Sequence, residues 1–184
     1  MPELTVLLPI AAFIALAAGL AVVLRGTGRI VARTRELEHF KSAVRDLAAR
    51  VDASLSGAAR QIDAVRRRQV GPETITETVA AATDAVERYA EEARGLRGPK
   101  TARQIQGELV AELERAERAL GMVEHGTSIL AAARRGTREL EAQTSIKRGY
   151  LNLLHAREAI ARHALEAQDL EADDGTLKAG RRTA

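Results

Sequence analysis

The hydrophobic pattern opens with a long apolar run. Leu4 to Leu24 (LTVLLPIAAFIALAAGLAVVL) holds 21 positions without a charge. A hydrocarbon core of about 30 Å needs about 20 helical residues, whereas a β-strand rarely exceeds about 10. The run therefore predicts a transmembrane helix. It ends in Arg25-Gly26-Thr27-Gly28, which begins like a phosphate-binding loop. Val31, however, stands where the third glycine of such a loop belongs, and no βαβ pattern follows. Gly26–Gly28 reads instead as a joint between the span and the next helix. A cleaved leader is disfavoured, since Met1-Pro2-Glu3 is acidic and the run is too long.

Arg25, Arg29, Arg33 and Arg35 follow the span and no basic residue precedes it. The positive-inside rule then puts the N-terminus outside and the rest of the chain in the cytoplasm. The first three arginines are four residues apart, so a continuous helix presents them on one face toward anionic lipid.

From Ile30 onward the spacing is helical. Ile30, Leu37, Val44 and Val51 recur every seven residues, with Phe40 and Leu47 between them, and the stripe continues through Leu55, Ala58, Ile62 and Val65. This predicts a helix over Arg29–Gln69, stopped by Gly71-Pro72. A second helix follows from Ile75, Val79, Ala82, Val86, Tyr89, Ala93 and Leu96, which alternate steps of four and three. Thr74-Ile-Thr-Glu77 and Thr101-Ala-Arg-Gln104 match the capping box at the starts of the second and third helices. The third carries Ile105, Leu109, Leu113, Ala116, Leu120 and Val123 on one side.

A single helix from there to Ala172 would outrun every partner, so a turn is expected at His125-Gly126-Thr127, with a last helix over Thr127–Ala172. The fold class is thus all-α: an N-terminal transmembrane helix, then an antiparallel four-helix bundle with coiled-coil-like seams. The domains are 1–25 anchor, 26–28 joint, 29–172 bundle and 173–184 disordered tail.

Composition agrees with packed helices. Apolar residues make up 46% of the chain but aromatics only 2%, and cysteine is absent, which excludes disulfides and thiolate chemistry. The 28 basic and 25 acidic residues are well mixed, and without a one-sided patch or stacking aromatics no nucleic acid is expected as partner. The preference for Arg over Lys reads as the codon bias of a GC-rich, bacterial genome.

Candidate chemistry is sparse. The histidines are His39, His125, His155 and His163, and only Glu36-Leu-Glu-His39 matches the Glu-x-x-His motif that a di-metal bundle needs twice. No catalytic, cofactor or metal residues are expected. In the last helix Tyr150, Asn152, His155 and Glu158 form a candidate partner surface, the last three at three-residue steps. Thr137, Thr144 and Lys147 interrupt its apolar positions, as happens where a seam sets register or awaits a second chain.

A span followed by a cytoplasmic helical bundle resembles the architecture of the LemA family, and Gln61-Ile62-Asp63, Arg66 to Arg68, and Pro72 with Glu77-Thr78-Val79 echo one of its segments. The likeness is confined to that segment and the rest of the chain departs from the family's pattern. The anchor and length also resemble the ATP synthase b subunit, whose nearly unbroken helix the Gly-Pro turns here contradict. No residue roles follow from either. The expected function is non-enzymatic: a membrane-anchored scaffold that recruits a protein partner, or a second copy of itself, to the bilayer. The alternative is a membrane signalling or stress-sensing transducer whose bundle switches packing.

Overall fold

The computed structural model describes residues 3–132 and 138–171, with side chains from residue 32 onward. Four helices make up the fold: α1 (Glu3–Arg66), α2 (Thr76–Gly95), α3 (Arg103–Ala132) and α4 (Arg138–Gln168). Short 3-10 turns, Pro72–Ile75 and Lys100–Ala102, lead into α2 and α3. Among the described residues there is no strand.

Cross-helix contacts give the arrangement. Arg50 reaches Glu92 and Ser54 bonds Tyr89, so α2 runs back along α1. Arg94 meets Glu114, which reverses α3 against α2. Ser145 bonds Met122 while His163 meets Glu108, which reverses α4 against α3. Arg157–Asp52 and Gln168–Lys41 close the ring between α4 and α1. Each helix lies antiparallel to its neighbours.

The heptad positions do what their spacing implies. Leu37, Phe40, Val44, Leu47, Val51, Leu55, Ala58, Ile62 and Val65 are buried along α1. They meet Val79, Ala82, Val86 and Ala93 of α2 and Ile105, Leu109, Leu113, Ala116, Leu120 and Val123 of α3 in one core. Burial of the Val, Leu, Ile and Phe side chains stabilises by roughly 1.5–3 kcal/mol each, which exceeds what helix propensity contributes.

The turn expected at His125-Gly126-Thr127 is absent. Helix α3 continues to Ala132, and α4 runs from Arg138. Thr127 and Ser128 donate back to the carbonyls of Glu124 and His125, as hydroxyls inside a continuing helix do. Gly126 is a packing contact: an added Cβ would sit 2.7 Å from Ile146 Cγ1 and 2.8 Å from the Ala142 carbonyl oxygen. Gly149 is the reciprocal contact, where a Cβ would stand 2.6 Å from the Ala119 carbonyl oxygen. The two glycines let α3 and α4 approach backbone to backbone.

The predicted capping boxes also form differently. Thr74 lies within the 3-10 turn and donates to the Gly71 carbonyl at 2.7 Å, and α2 starts without a side-chain cap. Gln104 turns to Glu108. The C-terminus of α2 is instead satisfied from α3: Gln106 Nε2 lies 3.0, 3.0 and 3.1 Å from the carbonyl oxygens of Ala93, Arg94 and Leu96.

Helix α1 stops at Arg66, three residues before the predicted Gln69. Arg68 takes the left-handed conformation at φ 58°, with Gln69 N–H bonded to the Ala64 carbonyl and Arg68 N–H to that of Val65. That is the Schellman pattern with arginine where glycine is usual.

Among the described residues no helix is long and apolar enough to cross a membrane. The span expected over 4–24 falls on residues whose side chains lie outside the described ones. The helix passes through Gly26–Gly28 without interruption. The tail expected at 173–184 is outside the described residues, as is Thr137.

Candidate functional site

Two sets of side chains run along α4, each in steps of four and three. Ala142, Ile146, Gly149, Leu153, Ala156, Ile160, His163 and Ala167 face the bundle and are buried. Leu140, Thr144, Lys147, Leu151, Leu154, Glu158, Ala161 and Leu165 lie two residues earlier at every step, which on a 3.6-residue helix is the opposite side. On that outer side Leu140 is 73% exposed, Leu165 69% and Leu151 43%, while Leu154 is half-buried. Three of the five large apolar side chains most exposed among the described residues belong to this one stripe.

The stripe's two charged positions have no partner within the chain among the described residues. Thr144 donates to the Leu140 carbonyl within the helix. Among the described residues neither Lys147 nor Glu158 has an ion-pair partner in its own chain. An unpaired charge of each sign therefore stands in an otherwise apolar row.

The four residues predicted as a partner surface do not form one patch. Tyr150 lies at the α1 edge of the exposed arc, half-buried, with the Arg66 guanidinium 5.2 Å from its ring centre. Asn152 lies at the α3 edge, its amide nitrogen 3.8 Å from Met122 Sδ. His155 and Glu158 are exposed between them. Only Glu158 belongs to the leucine stripe, and His155 flanks it.

Of the membrane-proximal arginines, Arg33 and Arg35 are exposed, and the side chains of Arg25 and Arg29 are outside the described residues. Glu36 and His39 are both exposed and lie at the solvent face of α1.

The histidine with a built environment is His163. It is 8% exposed, and its Nδ1 lies 2.8 Å from Glu166 Oε2 and 3.3 Å from Glu108 Oε2. An ionised carboxylate only accepts, so Nδ1 carries the proton and donates to Glu166. The three donors would suit a divalent cation in type and number. With the proton on Nδ1, His163 bonds Glu166 within α4, while Glu108 of α3, which accepts from Gln104, stands 3.3 Å from the same nitrogen. Sequence spacing did not reveal the cluster, because Glu108 comes from another helix.

A cleft of about 660 Å³ opens at the end of the bundle where α1 stops. Val65, Val70, Pro72, Leu130 and Ile146 form its apolar wall, and Arg68 pairs with Glu139 across its mouth at 3.0 Å. Lys147 of the outer stripe also lines this cleft. Elsewhere on the surface the Asp63 carboxyl is held below the usual carboxylate range, first by its hydrogen bond from Arg66 and then by the charges of Arg66 and Arg67.

The chain matches no protein-family model, no curated protein and no solved structure. Function must therefore be argued from the bundle itself.

Proposed function

We propose that this protein is a non-enzymatic, membrane-anchored helical module whose last helix carries the binding face for a protein partner. One observation carries the proposal: α4 repeats its heptad twice, and of the second copy only Leu154 packs on the core, while Leu140, Leu151 and Leu165 stay exposed. Soluble domains expose isolated leucines freely, but a row at coiled-coil spacing has the periodicity that a second helix needs. The anchor rests on the 21 uncharged positions of Leu4–Leu24 and the arginines that follow them. The span sets where the bundle is held, Gly26 and Gly28 are the least costly place for the chain to turn, and α4 selects what is bound.

Interior glycines do not favour a switching bundle. Gly126 and Gly149 are close-packing contacts, while Gly107 and Gly121 sit in regular helix with nothing near an added Cβ.

The absence of cysteine gives a direct test of the membrane arrangement. A single thiol introduced by Ser128→Cys, at an exposed position of α3, reports its side through a membrane-impermeant maleimide. Protection in intact cells with labelling after lysis is expected. Labelling in intact cells would place the bundle on the other side of the membrane.

A further inference from the structure

The exposed stripe of α4 has a symmetry that selects its occupant. A dyad placed between Asn152 and Leu153 maps Leu151 onto Leu154, Lys147 onto Glu158, Thr144 onto Ala161 and Leu140 onto Leu165. These are the alternating layers that two antiparallel helices form when each packs the same seam against the other. We infer that the outer face of α4 binds a second copy of this chain, α4 against α4, in antiparallel orientation. This rests on the reading of that face as a binding surface and names its partner.

Charge complementarity decides the orientation. Antiparallel pairing brings each free Lys147 to the free Glu158 of the other copy, giving two ion pairs inside the seam. Parallel pairing sets Lys147 on Lys147 and Glu158 on Glu158, so the same residues repel. The flanking column agrees. Glu141 of one copy lies within a turn of Arg162 of the other, again twice over. Leucines close both ends and the centre of the interface, so each of the two charged layers lies between a leucine layer and a Thr144–Ala161 layer.

An antiparallel pair also constrains the anchors. The dyad is perpendicular to α4, so the two α1 helices leave from opposite ends of the dimer. Two copies in one membrane meet that geometry only if α1, which runs unbroken through Gly26–Gly28, bends there so that both bundles lie along the surface. Arg33 and Arg35, exposed on α1, then lie at that surface.

The test uses the full-length chain in a mild detergent, with self-association followed by sedimentation. Lys147→Glu and Glu158→Lys are each expected to weaken association by at least about tenfold, since each turns both seam ion pairs into repulsions. The double variant restores the pairs with reversed sign and is expected to return association to near the original level. Helical content is the fold control, and both residues are at exposed positions of α4.

Orientation is read from thiols. An equal mixture of Leu140→Cys and Leu165→Cys chains is expected to crosslink between the two variants, and Leu140→Cys alone is not. Efficient crosslinking of Leu140→Cys to itself would show parallel pairing and overturn the proposal. A folded protein that stays monomeric at high concentration would overturn it too. If such a monomer still bound another protein through a face sensitive to Leu151→Glu, the binding-surface reading would stand while self-pairing fell.

Discussion

The two seams of α4 share a helix, a length and a period, yet one is core and the other is surface. The inner seam is built from small residues, Ala142, Gly149, Ala156 and Ala167, with Ile146, Leu153 and Ile160 between them. The outer seam has larger leucines at its ends and a lysine and a glutamate in its interior. Periodicity alone therefore identifies a helix but not its buried side. What distinguishes the inner seam is that small residues let α3 approach so closely that Gly149 has no room for a Cβ. The outer seam has room and unpaired charge, as a face that meets another helix only on association requires.

The largest effect that separates the faces is truncation of a core leucine. Leu153→Ala is expected to cost about 2–5 kcal/mol in chemical denaturation, and Leu151→Ala, two residues away, no more than about 0.5 kcal/mol in the monomer. Next comes crowding. Gly149→Ala places a methyl against a backbone carbonyl that cannot rotate away, and is expected to destabilise by about 1–3 kcal/mol despite alanine's better helix propensity. Gly107→Ala should do the reverse. Nothing lies within 4 Å of an added Cβ there, so the thermal midpoint should rise, by a stabilisation of about 0.5–1 kcal/mol.

The smallest effect isolates surface charge from packing. Arg66 and Arg67 depress the folded pKa of Asp63 below its ordinary 3.8. Its contribution is therefore present above that value and is lost as pH falls through the folded pKa. Asp63→Asn should lower stability by less than about 1 kcal/mol at pH 7. The difference between the variant and the parent should close below pH 3.8. A deficit that persists in acid would mean the residue acts by packing.

Much of this fold is legible in the sequence, for a physical reason. The stripes from Leu37 to Val65, Ile75 to Leu96 and Ile105 to Val123 alternate at helical spacing, and all three are buried or half-buried as that spacing predicts. The α3–α4 turn was misplaced because Gly126 has two meanings in a sequence. It can end a helix or let two helices touch, and only Ile146 and Ala142, far along the chain, decide between them. The capping boxes misled similarly: the chain enters α2 and α3 through 3-10 turns, and a glutamine from the next helix satisfies the end of α2. The candidate site was half legible. Glu158 and the interruptions at Thr144 and Lys147 were visible, but the leucine row could be assigned to solvent only once the inner seam had claimed α3 and α1. His163 is the buried histidine, and nothing in its local sequence distinguishes it from the exposed His155.

Leu151→Glu tests the outer seam of α4 most directly. It should leave helical content and the thermal midpoint of the full-length chain unchanged, because the side chain lies outside the core, and it should abolish self-association in sedimentation. Loss of folding would show that Leu151 belongs to the core, and association that survives the charge would show that the outer seam of α4 is not the binding face.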